Sequence, residues 1–311
     1  MADESKSKDK WSQERYKKAL VDQRKFMWPP DTVDKLAAWF ELTPGMAVAD
    51  IGCGLGYVGY TYWKYFGEGG RYIGIDRNRE LLEKATVAAE DWAKGGDWQI
   101  LNGDAYDLPL EDHTVDRAVC QTVLMHLERS VECLAEMIRI TKPGGMVICF
   151  EPDNLSATLV QGYSSGPELN LAQKLLVQKV CFQTHLGRKE LGRGDNQIGS
   201  KLPHLMSQLG LTDIGIRNID RVFMIQPPYE TEEQQHRLKM MKAHMGDEHH
   251  NEEMADEREE FLAGGGDPVE WDAYVGIVEQ RRLIWKRQLE NDEVFWCAPS
   301  LFYAVKGVVP G

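Results

Sequence analysis

Short apolar runs alternate with amphipathic segments from residue 47 to residue 150, and this alternation is the clearest pattern in the chain. The runs are four to seven residues long and nearly continuous in apolar side chains, which predicts strands buried on both faces. The predicted strands are 47–51, 71–76, 98–101, 115–121 and 146–150, and the predicted helices between them are 57–66, 80–92 and 131–140. Strands that alternate with helices indicate an α/β fold with a parallel sheet covered on both faces.

The pattern changes after residue 153. Two strand-like stretches, about 211–223 and 295–308, predict two more strands. The segments before and between them, about 156–210 and 224–292, are charged and helical in period, and they predict insertions that form a helical cap on the sheet. The expected parts are N-terminal helices at 1–45, a core at 46–155, and the remaining strands with their cap at 156–311.

Composition and charge exclude several classes of function. The formal net charge is −13, from 36 Lys and Arg against 49 Asp and Glu, so the chain repels nucleic acid and anionic membranes. The N-terminus has no apolar leader, and no run approaches the ~20 apolar residues that cross a bilayer. The six cysteines form no CxxC pair, which predicts reduced thiols in a cytoplasmic protein and no cysteine-bound zinc.

A glycine-rich segment follows the first predicted strand. Gly52, Gly54 and Gly56 alternate with other residues, and Gly54, Gly56 and Gly59 also match a GxGxxG pattern. Glycines at a strand-to-helix turn permit positive φ and let a ligand approach the backbone closely. Because glycine turns are common, the segment alone leaves open a dinucleotide site and an S-adenosylmethionine site.

Three acids at three strand ends distinguish these two ligands. Asp50 lies two residues before Gly52, where a carboxylate repels a pyrophosphate but suits a cationic sulfonium and ammonium. Asp76 follows Gly56 by 20 positions and can accept from ribose hydroxyls of either ligand. Asp104 ends the third strand and can accept from an adenine amino group. Together the acids favour S-adenosylmethionine.

These segments together resemble the class I S-adenosylmethionine-dependent methyltransferases. The resemblance covers residues 46–153, about a third of the chain, and its matching segments are Val48–Gly56, Tyr72–Asp76, Gly103–Ala105, Val115–Val119 and Lys142–Gly145. It implies a Rossmann-like, seven-stranded, mostly parallel sheet with helices on both faces, an antiparallel last strand and an inserted helical cap.

The resemblance also implies a set of cofactor contacts. The three loop glycines approach the methionine portion, Cys53 contacts the ligand through its backbone, Asp76 holds the ribose and Asp104 the adenine. Gln121 lies beside the amino acid end. The expected cofactor-binding residues are Asp50, Gly52, Cys53, Gly54, Gly56, Asp76, Arg77, Gly103, Asp104, Ala105 and Gln121.

Catalytic and substrate-binding residues are less marked. Methyl transfer from a sulfonium mainly requires alignment and exclusion of water, and it needs a general base only if the acceptor loses a proton. His126 is a candidate base or substrate contact, or a packed histidine. Glu151 faces the pocket or is a solvated loop acid. Arg193 and Asn196 lie in a polar, glycine-containing stretch that binds a polar substrate or caps the next helix.

The N-terminal helix is expected to fold over the cofactor, with Tyr16, Arg24 and Trp28 as candidates for closing the site. The cap favours a small-molecule acceptor, because it encloses a small pocket. One alternative is a protein methyltransferase that recruits a basic target through residues 247–270, which hold ten acids and one arginine. Another is a cofactor-binding regulatory protein without catalysis. The histidines and glutamates of residues 247–270 are typical of a solvated helix face, so we expect no metal site there. The sequence leaves the oligomeric state open.

Overall fold

The computed structural model describes residues 26–159, 162–166, 168–219, 222–245 and 247–311, apart from the side chains of residues 244 and 247–249. The predicted N-terminal helix therefore lies almost entirely outside the described residues.

Ten strands and ten helices make up the regular structure of the described residues. The strands are β1 Ala47–Ile51, β2 Arg71–Asp76, β3 Asp97–Asn102, β4 Val115–Gln121, β5 Thr141–Pro152, β6 Tyr163–Ser164, β7 Thr212–Asn218, β8 Val222–Ile225, β9 Trp296–Pro299 and β10 Phe302–Val308. The helices are α1 Pro30–Trp39, α2 Tyr57–Phe66, α3 Arg79–Trp92, α4 Ser130–Ile140, α5 Asn154–Ala157, α6 Leu171–Glu190, α7 Ile198–Gln208, α8 Glu232–His244, α9 Asp247–Ala263 and α10 Pro268–Glu290. A 3₁₀ turn at Leu124–His126 follows β4.

A seven-stranded sheet in the order β3-β2-β1-β4-β5-β10-β7 forms the centre of the fold. Strands β1 to β5 pair in parallel, and β10 runs antiparallel to both β5 and β7. This confirms the predicted mostly parallel sheet with its antiparallel last strand.

Two apolar clusters cover the two faces of this sheet. Neighbouring residues of one strand belong to different clusters, since successive side chains point to opposite faces. Val147 packs with Ile73 and Met137 on one face, and Ile148 packs with Tyr72 on the other. Both faces are therefore closed, and ligands have access to the sheet at its strand ends.

The two late strand-like stretches each contain two strands, which corrects the predicted bounds. Residues 211–223 contain β7 and the start of β8, and residues 295–308 contain β9 and β10. β7 and β10 join the main sheet, whereas β8 and β9 join β6 in a separate sheet of order β6-β9-β8. A strand-like pattern in the sequence does not reveal where the chain changes pairing partners.

The cap predicted at 156–210 and 224–292 contains helices α6 to α10. Its second range, 224–292, is divided into three helices, α8, α9 and α10. None of the helices in the described part of the chain has the length and apolar character to span a bilayer. Among the same residues, no three or more His, Cys, Asp or Glu side chains form a group suited to hold a metal ion.

Candidate active site

The strand register brings the predicted residues to one edge of the sheet. Ile51 of β1 lies level with Ile75 of β2 and Cys120 of β4. The next residues, Gly52, Asp76 and Gln121, therefore meet at the carboxyl ends of neighbouring parallel strands. Ligands of open α/β sheets bind at this edge.

The glycine loop is fixed to the end of β2 by backbone hydrogen bonds. The Gly54 N–H donates to Asp76 Oδ2 at 2.9 Å, and the Cys53 N–H donates to the Ile75 carbonyl at 3.0 Å. Gly52, Gly54 and Gly56 all have positive φ, at 66°, 53° and 74°. Other residues rarely adopt this conformation, so the backbone path depends on glycine.

Gly52 and Gly54 differ in the space beside them. A Cβ on Gly52 would lie 2.5 Å from Val123 Cγ2, because the loop packs directly on the turn after β4. A Cβ on Gly54 would meet nothing within 4 Å. The loop is thus packed on one side and open at Gly54, as a cradle for a ligand requires.

Asp76 is oriented by backbone donors on both of its oxygens. Oδ2 accepts from Gly54 and Oδ1 accepts from the Asn78 N–H at 2.8 Å. Asn102 supports the same strand end, since its Nδ2 donates to the Asp76 and Arg77 carbonyls at 3.1 and 3.0 Å.

Asp50 lies deeper, beneath the loop. Its side chain is buried, and Oδ2 accepts from the Tyr72 hydroxyl at 2.8 Å. Burial, with Asp50 nearby, raises the pKa of Tyr72 well above its usual range, so the hydroxyl stays a donor. Burial also raises the pKa of the Cys53 thiol, and Asp50 and Asp76 add to that effect. Cys53 is therefore a neutral thiol and not a nucleophile.

The end of β3 presents Asp104 on the surface. Its Oδ1 accepts from the Tyr106 N–H at 3.0 Å, and its side chain is exposed. Gly103 before it donates its N–H to the Asp76 carbonyl at 3.1 Å, and a Cβ there would lie 2.7 Å from Pro109. Ala105 packs against the core. The close packing at Gly103 and Ala105 fixes the backbone on either side of Asp104.

Gln121 holds a buried acceptor without a donor. Its side chain is 5% exposed, Nε2 contacts Met27 Sδ at 3.0 Å, and Oε1 has no hydrogen-bond partner among the described residues. A buried acceptor that forms no hydrogen bond costs about 1–3 kcal/mol of stability, unless a ligand supplies the donor. Trp28 lies nearby, packed 4.9 Å from the Phe150 ring, with its Nε1 also buried and unpartnered. Tyr16 and Arg24 lie outside the described residues.

Glu151 holds the turn after β4. The side chain is fully buried, and its Oε1 accepts from the N–H groups of Val123 and Leu124 at 2.7 Å each. Its Oε2 accepts from the Met125 N–H at 3.4 Å. These bonds favour a positioning role for Glu151 over the substrate contact suggested by the sequence, because the carboxylate orients the turn that carries His126.

Replacing Glu151 with alanine is expected to lower the free energy of unfolding by about 3 kcal/mol or more, since three N–H groups lose a charged acceptor. Urea unfolding measures the change. Glu132→Ala is the matched control: its exposed ion pair with Arg129 is worth less than about 1 kcal/mol. Equal losses in the two variants would contradict the positioning role.

His126 contacts the cap. Its Nδ1 lies 3.4 Å from Arg188 Nη2, and Arg188 Nη1 lies 3.2 Å from Glu260 Oε1 on α9. An arginine can only donate, so Nδ1 is the acceptor and the neutral ring carries its proton on Nε2. This arrangement favours a hydrogen-bond donor at His126 Nε2 over a general base there.

Arg193 and Asn196 belong to the loop between α6 and α7. The Arg193 guanidinium pairs with Glu259 and, at 3.4 Å, with Glu260. The Asn196 carbonyl accepts from the Asn154 N–H at 2.8 Å. A Cβ on Gly194 would lie 2.2 Å from the Met125 carbonyl oxygen, so the loop packs against the turn after β4. Arg193 therefore binds the cap internally, while its loop borders the site.

Sequence reasoning missed Arg188, Glu260 and Asn102. Arg188 and Glu260 are 72 residues apart and their pairing leaves no local pattern. Asn102 directly precedes the predicted Gly103, and its position at the end of β3 was a signal for a residue that supports the strand ends.

Residues 49–149 match the family model of the methyltransferase domain. An uncharacterized methyltransferase of Schizosaccharomyces pombe is 40% identical over 115 residues, which cover 35% of this chain and 41% of the relative. A demethylmenaquinone methyltransferase of Staphylococcus aureus is 36% identical over 107 residues, 34% of this chain and 43% of the relative. The chain thus spans less than half the length of these curated relatives.

A solved structure extends the similarity to the whole fold. It is a chain from the complex between a methyltransferase activator of Haloferax volcanii and a methyltransferase, with a TM-score of 0.52 and 15% identity. The match covers 97% of this chain and 96% of that chain. At this identity the likeness shows a shared fold alone.

Proposed function

We propose that this protein, which carries a class I S-adenosylmethionine-dependent methyltransferase domain, transfers a methyl group from that cofactor to a small-molecule acceptor by in-line displacement. The observation that carries the proposal is the carboxyl edge of the sheet. There the Gly54 N–H holds the Asp76 carboxylate beside an open glycine loop.

The residues present fit this cofactor. The open side at Gly54 leaves room for a ligand, and the buried Gln121 Oε1 lacks the donor that an ammonium group provides. Asp76 would hold the ribose, and the exposed Asp104 would accept from the adenine amino group. Asp50, Gly52, Cys53, Gly56, Arg77, Gly103 and Ala105 would shape the loop and strand ends around it.

When bound, S-adenosylmethionine supplies an electrophilic methyl group on a cationic sulfur. The chain then has to orient both reactants and exclude water. Glu151 fixes the turn after β4, and Arg188 from the cap fixes the His126 ring on that turn. His126 Nε2–H is the group we assign to orienting the acceptor, through a hydrogen bond that requires no proton transfer.

Two observations support a small acceptor. The α6–α7 loop packs on the turn after β4, so the cap borders the site instead of leaving an open surface for a macromolecule. The related Staphylococcus aureus protein is named for demethylmenaquinone, a small molecule. A basic protein substrate is the second candidate, because Glu252, Glu253 and Asp256 are exposed on α9. Without methyl transfer, the same site would serve a regulatory protein that only binds the cofactor.

Incubation with radiolabelled S-adenosylmethionine and a metabolite extract is expected to yield a labelled product below ~1 kDa, the size class of small-molecule ligands. Label found only on protein would reject the small acceptor in favour of the second candidate. Binding of the cofactor in calorimetry with no labelled product of either size would support the regulatory alternative. The Asp76→Ala variant, incubated in the same way, gives the background level of label.

A further inference from the structure

Helix α6 exposes a stripe of large apolar side chains. Leu171, Leu175, Phe182 and Leu186 are 72%, 62%, 42% and 54% exposed. At 3.6 residues per turn they lie within about 60° of one another around the helix axis and extend over about 22 Å. We call these four residues the α6 stripe. Several large apolar side chains exposed along one helix face mark an interaction site more often than single exposed residues do.

The opposite face of α6 already has its partners. Val180 is fully buried against Phe261 and Trp271 of the cap. Gly187 lets α9 approach closely, since a Cβ there would lie 1.6 Å from the Glu260 carbonyl oxygen. The stripe is therefore a second apolar face, turned away from the one that packs α6 into its own chain.

The spacing of the stripe is symmetric about the middle of α6. Leu171 and Leu186 lie equally far from the point between Gln178 and Lys179, and so do Leu175 and Phe182. When two such helices run antiparallel about a two-fold axis at that point, each stripe residue faces its mate on the other helix. Self-complementarity of this kind is what an isologous dimer interface requires.

From this symmetry we infer that α6 is a homodimer interface, in which the stripe packs antiparallel against the stripe of a second copy. Leu171 faces Leu186 of the second copy, and Leu175 faces Phe182 of the second copy.

The charges around α6 are compatible with the same arrangement. Each cation of the helix pairs with an acid of its own chain: Lys174 with Glu168, Lys179 with Glu270, Arg188 with Glu260 and Lys189 with Asp195. Two chains of net charge −13 repel each other, and a surface whose charges are already paired is where that repulsion is weak.

Sedimentation velocity of the full chain over a range of concentrations is expected to show a monomer–dimer equilibrium. Phe182→Glu should raise the dissociation constant about 30-fold or more, the effect of losing a central interface contact. Leu283→Glu is the control, because Leu283 is 61% exposed on α10 and outside the stripe. Circular dichroism checks that both variants keep their fold.

Engineered cysteines test the antiparallel register. A mixture of Leu175→Cys and Phe182→Cys chains should form a disulfide-linked dimer on mild oxidation, whereas neither chain alone should do so beyond the unmodified protein. Residue 175 lies about 10 Å along the axis from its own copy, too far for a disulfide. A monomer at all concentrations, a dimer that survives Phe182→Glu, or cross-linking by Leu175→Cys alone would overturn the inference. Binding of the monomer to lipid vesicles through the stripe would do the same.

Discussion

Replacing Asp76 with alanine is expected to reduce the affinity for S-adenosylmethionine by about a hundredfold or more. Hydrogen bonds to a charged group contribute about 1.5–3 kcal/mol each, and the proposed ribose contact contains two. The substitution also removes the acceptor of the Gly54 and Asn78 N–H groups, so the loop loses its connection to β2. Isothermal titration calorimetry of the variant measures the change.

Asp97→Ala is the control for Asp76→Ala. Asp97 begins β3 at the opposite edge of the same sheet, is exposed and forms a surface ion pair with Arg71 at 3.5 Å. The variant has the same change in net charge without a change at the loop, so its affinity should match that of the unmodified protein. Tight binding by Asp76→Ala would show that the ribose assignment is wrong.

The strand ends could be predicted because local signals mark them. β2 and β4 have the predicted bounds, 71–76 and 115–121, since an apolar run there stops at a polar residue. The α/β alternation then requires a parallel sheet, which brings those ends together. The sequence alone therefore predicts Asp76, Asp104 and Gln121 at one edge of the sheet.

The rest of the site depends on contacts between distant residues. Glu151 looked like a loop acid in the sequence, yet it accepts from backbone groups 26 to 28 residues earlier. The contact of His126 with Arg188 spans 62 residues and joins the core to the cap. Side chains that orient a turn across such distances follow no periodic pattern. Their identity becomes visible only when the tertiary packing is known.

The same limit explains the division of the late strands. The Ile219 N–H donates to the Phe302 carbonyl at 2.7 Å, where the chain leaves the main sheet between β7 and β8. Apolar residues are interspersed with polar ones on both sides of that point, so the strand-like pattern continues while the pairing partner changes. The small sheet that results supports its own apolar cluster, with Ile225 and Val294 buried in it. A cap with its own core can hold α6 in place on the site.

Replacing Gly54 with alanine is expected to weaken S-adenosylmethionine binding by at least about tenfold, the effect of adding a methyl group to a filled site. The added Cβ meets no protein atom within 4 Å, so the new methyl group enters the space proposed for the ligand. Stability should fall by only about 1–2 kcal/mol, the strain of a positive φ of 53° at a residue with a side chain. Calorimetry and urea unfolding measure the two effects separately.

Gly69→Ala makes this test specific, because it differs from Gly54→Ala in location alone. Gly69 also has a positive φ, 65°, and open space around its Cβ, but it precedes β2 at the amino edge of the sheet. Both variants should lose similar stability, whereas only Gly54→Ala should lose affinity. Gly52→Ala is less informative, since its Cβ would clash with Val123 and disturb the loop itself. Equal affinities of the Gly54 and Gly69 variants would place the ligand away from the glycine loop, even if Asp76 proved essential.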